Sequence, residues 1–131
     1  MFAVANTSLR VARRVLLAED QPPVARVLCE ALETAGYEVE IVGTGVAAMT
    51  AARARRPDVI ILDVGLPGAL TADAAMPWLM RLAPVIVITN RDDDELQRRL
   101  LANGAFAYLP NAFDVARLLD TVRVAVTPGG R

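Results

Sequence analysis

The chain has 131 residues, 54% hydrophobic and 22% charged, with fourteen basic against fifteen acidic side chains for a net charge of −1. That suffices for one domain with a sizeable core, and it leaves no large basic field for nucleic acid or an anionic membrane. There is no histidine, and every basic residue is arginine, which removes the commonest general base, Schiff-base chemistry and the P-loop lysine.

Residues 1–13 show no clear period and read as an N-terminal extension. Val15–Ala18 is a short apolar run stopped by Glu19 and Asp20. Pro22 and Pro23 suit a first helical turn, and Val24, Val27, Leu28, Ala31, Leu32 and Ala35 follow as one apolar stripe, with Gly36 as its stop. Val39–Val42 is a weaker strand, Gly43–Gly45 turns the chain, and Val46–Arg55 is an alanine-rich helix broken by Pro57. Val59–Leu62 is β-branched at three of its four positions and suits a strand buried on both faces, ending on Asp63. Gly65–Gly68 is a loop. Ala69–Leu82 is helical in composition but holds Pro77, so a short, late or kinked helix is expected. Val85–Ile88 is a second fully apolar strand, leading to Thr89 and Asn90. Asp92–Glu95 places acid at the start of a helix that runs to about Ala102, capped by Asn103 and Gly104. Ala105–Leu109 is the last strand. Asp114 caps a final helix with Val115, Leu118, Leu119, Val122 and Val126 on one stripe. Residues 127–131 (TPGGR) read as a tail or linker, so the domain is expected over 14–126.

Five strand–helix repeats predict a parallel sheet covered on both faces. The single Cys29 excludes an intrachain disulfide framework and suits a reducing cytoplasm. No charge-free run is long enough to span a membrane, and Arg10, Arg13 and Arg14 interrupt any signal-peptide core. Cys29 reads as a small half-buried hydrophobe, Trp78 as core or helix-surface packing, and Arg53, Arg55 and Arg56 as a solvated helix end.

In an open parallel sheet, ligands bind outside the carboxyl ends of the strands. Glu19 and Asp20 end strand one, Asp63 ends strand three and Thr89 ends strand four. Taken singly, each acid is equally a solvated loop residue. Three carboxylates that converge remain ionised only beside a cation, and oxygen-only ligands select a hard one such as Mg2+.

The ordered pieces LLAED (16–20), ALETAGYEV (31–39), PDVIILDVGLPG (57–68), PVIVITN (84–90) and GAFAYLPNAFD (104–114) resemble the receiver domain of two-component response regulators, from about Val15 to Val126. The resemblance implies a flavodoxin-like α/β fold: a (βα)5 three-layer sandwich around a five-stranded parallel sheet of order 2-1-3-4-5. It implies Asp63 as phospho-acceptor, with Glu19, Asp20, Asp63 and the Gly65 backbone carbonyl holding Mg2+. Thr89 would bind a phosphoryl oxygen, and Tyr108 matches the switch aromatic, though it is equally an edge-strand aromatic with no signalling role. A carboxylate needs no deprotonation to act as nucleophile, so the absence of histidine is no obstacle. The donor would be a histidine kinase or histidine phosphotransfer protein, and the readout a downstream protein target. The protein is expected to be cytoplasmic and not an enzyme. Dimerisation is expected through the face of the fourth helix, fifth strand and fifth helix, using Arg98, Arg99, Arg117 or Arg123 against Asp94, Asp114 or Asp120.

The sequence departs from the family pattern in one respect above all. The final motif normally reads lysine–proline, and here it reads Asn111–Ala112. An amide donates a hydrogen bond but brings no charge, and a charge-assisted bond is worth roughly 1.5–3 kcal/mol. The bond before Ala112 is expected to be trans. Asn90 stands where a small residue is usual and narrows the pocket, and Arg91 beside it covers the pocket or supplies charge. Two functions follow: a phosphorylation switch, or a pseudo-receiver that binds protein partners without phosphorylation. A flavodoxin-like enzyme is disfavoured because no phosphate-cradling glycine loop follows the first strand.

Overall fold

The computed structural model describes residues 12–91, 93–111 and 114–127. The chain alternates β1 (Arg14–Ala18), α1 (Pro22–Thr34), β2 (Glu38–Val42), α2 (Gly45–Ala54), β3 (Val59–Asp63), α3 (Ala72–Leu79), β4 (Val85–Ile88), α4 (Asp94–Ala102), β5 (Ala107–Leu109) and α5 (Val115–Val126). All four strand pairings are parallel, and the order is β2-β1-β3-β4-β5. This is the flavodoxin-like sandwich anticipated above.

The strand sequences explain the layering. Successive side chains point to opposite faces, so strands covered on both sides need apolar residues throughout. Leu16, Ile60, Leu62, Val85 and Val87 join Ala48, Ala52, Met76, Leu79 and Leu100 in one core, between the sheet and α2, α3 and α4. Val15, Leu17, Ile61, Ile86 and Ile88 pack on Leu28, Leu32, Leu118 and Val122 in the other, under α1 and α5. The edge strand β2 differs: Glu38, Glu40 and Ile41 are exposed. Charged residues on an edge discourage pairing with another chain.

Several boundaries move, each for a local reason. The helix expected over 69–82 is short and late, spanning Ala72–Leu79 with Thr71 capping the Ala74 amide and Pro77 inside. The α2 helix is shifted one residue forward, because the Thr44 hydroxyl accepts from the Ala47 N–H and so makes Gly45 the first helical residue. Only glycine fits there: a Cβ at Gly45 would run into the Leu70 carbonyl. The last strand begins at Ala107 rather than Ala105. Gly104, at φ +109°, ends α4, and the Ala105 N–H returns to the Leu100 carbonyl instead of joining the sheet. Trp78 is half exposed with the Arg81 guanidinium 5.1 Å from its ring centroid, so it packs on the helix surface.

The segment before residue 12, the bond before Ala112, Asp92 and residues 128–131 lie outside the described residues. No helix among the described residues is long and apolar enough to cross a membrane.

Candidate functional site at the carboxyl edge of the sheet

The β1–β3 pairing aligns Ala18 with Leu62, which brings the residues after Ala18 beside Asp63. Oxygens of Glu19, Asp20 and Asp63 lie within 4.8 Å of one another, with Glu19 buried, Asp63 half-buried and Asp20 exposed. Backbone bonds hold the cluster. The Glu19 N–H donates to the Val42 carbonyl at 2.9 Å, which fixes the end of β1. The Gln21 N–H donates to Glu19 Oε2 at 3.1 Å, and the Gly65 N–H donates to Asp63 Oδ1 at 3.1 Å.

Electrostatics match this crowding. Burial pushes the Glu19 carboxyl up to about 7, with Asp63 and Asp20 adding repulsion and the Gln21 N–H opposing it. A site of three carboxylates, one of them buried, with no nitrogen or sulfur donor among them fits a hard divalent cation, which would relieve that repulsion.

The other expected site residues lie around this cluster at different depths. Thr89 follows Ile88, the register partner of Asp63, and is buried at 3% exposure. Its N–H donates to the Leu109 carbonyl, and its hydroxyl oxygen accepts from the Arg91 N–H at 3.1 Å. Asn90 and Arg91 are exposed on the loop after β4. Tyr108 is 4% exposed and belongs to the core under α2, α3 and α4. Asn111 is exposed after β5, and its carbonyl accepts from the Asp114 N–H at 3.1 Å.

Two features have no clear signal in the sequence. An apolar groove of about 660 Å³ runs from Glu19 and Asp20 between α1 and β2, walled by Ala25, Cys29, Ile41 and Val42. Cys29 is half-buried in that wall, and burial, with Glu33 and Glu30, pushes its thiol up, away from thiolate reactivity. On the opposite side, Arg99 pairs with Asp73 at 2.9 Å, joining α4 to α3. Arg123 pairs with Asp120 at 3.2 Å within α5. Two of the arginines expected at a dimer face therefore have partners within the chain.

Comparison with known proteins agrees with this architecture. A family model described as the response regulator receiver domain matches residues 15–123. Mycobacterium tuberculosis transcriptional regulatory protein PdtaR is 37% identical over 119 residues, covering 89% of this chain and 58% of the relative. Transcriptional regulatory protein KdpE of the same organism is 37% identical over 115 residues, covering 86% of this chain and 50% of the relative. The chain thus spans between half and three-fifths of the length of these relatives. The solved structure of Vibrio cholerae chemotaxis protein CheY4 superposes with a TM-score of 0.79 at 28% identity, covering 88% of this chain and 99% of that one. Sheet order, placement of the acidic cluster and sequence match together show that the chain belongs to the response regulator receiver domain family of two-component systems.

Proposed function

We propose that residues 14–126 form a phosphorylation-controlled switch in which Asp63 accepts a phosphoryl group from a phosphohistidine. The observation that carries this reading is the convergence of Glu19, Asp20 and Asp63 oxygens within 4.8 Å at the carboxyl ends of β1 and β3. An Asp63 carboxylate oxygen forms the new bond to phosphorus as the phosphorus–nitrogen bond of the donor breaks and the imidazole leaves. Glu19, Asp20, Asp63 and the Gly65 carbonyl would hold Mg2+, which when bound neutralises charge on the transferring oxygens. The buried Thr89 hydroxyl stands at the neighbouring strand end to donate to a phosphoryl oxygen, with Asn90 and Arg91 bordering its approach. Tyr108, in the same core as Leu96 and Leu100 of α4, would couple that end of the sheet to the α4 surface.

The module takes one phosphoryl group and changes its contacts rather than turning over a substrate. Its partners on this reading are a cytoplasmic histidine kinase or histidine phosphotransfer protein and a downstream protein, with no nucleic acid held by this domain. A homodimer through α4, β5 and α5 would draw on Arg98 and Arg117, which make no ion pair among the described residues. Asn111 and Ala112, in place of the usual lysine–proline, and Asn90 are the features that favour a phosphorylation-independent pseudo-receiver. Incubation with Mg2+ and a small acyl phosphate, read by intact mass, separates the two. The switch gains one phosphoryl group and the Asp63→Asn variant gains none; a wild-type chain that gains none is a pseudo-receiver.

A further inference from the structure

We propose that Arg91 supplies the positive charge for the phosphoryl group on Asp63, where the family pattern has a lysine and this chain has Asn111. The inference rests on the reading of Asp63 as phospho-acceptor. It starts from a charge imbalance. Three carboxylates already crowd the site, and a phosphoryl group adds further negative oxygens. The chain has neither lysine nor histidine, so any side-chain cation must be an arginine.

Arg99 and Arg26 are poorly suited. Arg99 is tied to Asp73 at 2.9 Å. Arg26 lines the apolar groove on the far side of Glu19 and Asp20, beside Glu30. Arg91 differs from both. It lines a cavity of about 270 Å³ together with Val64, the residue next to Asp63, and with Asp73, Asp93, Leu96 and Arg99; of the two arginines there, Arg99 is the one already paired. The Val64 N–H donates to the Ile88 carbonyl at 3.2 Å, which fixes this cavity wall to the strand end that carries Thr89. The Arg91 N–H donates to the Thr89 hydroxyl, so its backbone is anchored to the residue that borders the acceptor.

Neither acid in the cavity forms an ion pair with Arg91 among the described residues. Asp73 is held by Arg99, and the Asp93 carboxylate accepts from the Leu96 N–H as the cap of α4. Among the described residues the Arg91 guanidinium has no ion-pair partner, so turning it toward Asp63 breaks none of the ion pairs they form. Its planar fork can take two phosphoryl oxygens at once, which a single ammonium does as a point charge only.

With acetyl phosphate as donor, an Asp63 oxygen bonds to phosphorus while the bond from phosphorus to the acetyl oxygen breaks. Acetate leaves with the electron pair, and no proton moves. Arg91 N–H groups stabilise the negative charge on the equatorial oxygens.

The test measures the initial rate of phosphate gain from acetyl phosphate and Mg2+ for wild type, Arg91→Gln, Arg26→Gln, and Arg91→Gln combined with Asn111→Lys. Arg91→Gln should slow phosphorylation about 10–100-fold with unchanged melting temperature and Mg2+ affinity, which separates charge from folding. Arg26→Gln should stay within about twofold of wild type, and Asn111→Lys should restore the rate in the Arg91→Gln background. An Arg91→Gln chain that phosphorylates at the wild-type rate overturns the role of Arg91 and leaves Asp63 as acceptor; so does loss in Arg26→Gln alone. A wild-type chain that takes no phosphate overturns both.

Discussion

The two ends of the sheet treat charge in opposite ways. At the amino end, Arg14 is nearly buried, at 12% side-chain exposure, yet fully engaged. Its guanidinium donates to Glu38 at 3.0 Å, to Glu40 at 3.3 Å and to the carbonyls of Arg55 and Arg56. Its N–H donates to Asp58 at 2.7 Å, and Arg56 donates in turn to the Leu82 carbonyl at 2.5 Å. At the carboxyl end, Glu19 and Asp63 take hydrogen bonds from the Gln21 and Gly65 backbone N–H groups, and their carboxylates repel one another. A balanced network holds strands and loops together. An unbalanced one stores a demand for positive charge that a cation and a phosphoryl switch can use.

The largest way to break this comparison is Asp63→Asn. It should abolish phosphate uptake completely while leaving the fold intact, with a melting temperature equal to or above wild type because one repelling carboxylate is gone. Intact mass and thermal unfolding check the two halves of that statement.

Next is the pH dependence of the metal-free protein. The Glu19 carboxyl lies at about 7 in the fold against an ordinary value of 4.5, so the fold favours its protonated form. That contribution is fully present below about pH 4.5 and is lost as the pH rises through about 7. Glu19→Gln should remove that loss, so its stability relative to wild type should grow across the same window in urea titrations. Mg2+ should restore wild-type stability above pH 7 and do little for the variant.

Arg14→Met tests the other end. Removing the donor to two carbonyls and to Glu40, and leaving Glu38 with Arg55 alone, should cost about 1–3 kcal/mol in urea unfolding, with phosphate uptake by the folded protein unchanged. The smallest effect is expected for Arg123→Ala on the exposed face of α5. Its pair with Asp120 leaves both side chains about 70% exposed, at 69% and 74%, and its removal should change stability by less than about 0.5 kcal/mol.

The same contrast governs what is legible in the sequence. β3 and β4 stand out because strands covered on both faces carry unbroken apolar runs rich in β-branched residues, and α1 and α5 because each has a single apolar stripe. Glu19, Asp20 and Asp63 are legible as a group because parallel topology places strand ends side by side. Long-range pairings are not. Arg14 meets Glu38 across 24 positions and Arg99 meets Asp73 across 26, and no local pattern encodes either. Arg56 reads as a solvated helix end, yet it reaches the Leu82 carbonyl because the chain after α3 returns beneath it. The start of β5 is misplaced because a Gly104 turn, not residue propensity, decides where the strand begins.

The most direct measurement maps the phosphoryl group itself. The chain is incubated with acetyl phosphate with and without Mg2+, digested, and its peptides sequenced by fragmentation. One phosphoryl group on Asp63, appearing only with Mg2+, is the result expected of a metal-dependent acceptor built from Glu19, Asp20 and Asp63. Phosphate on another residue, or none at all with Mg2+ present, would contradict it.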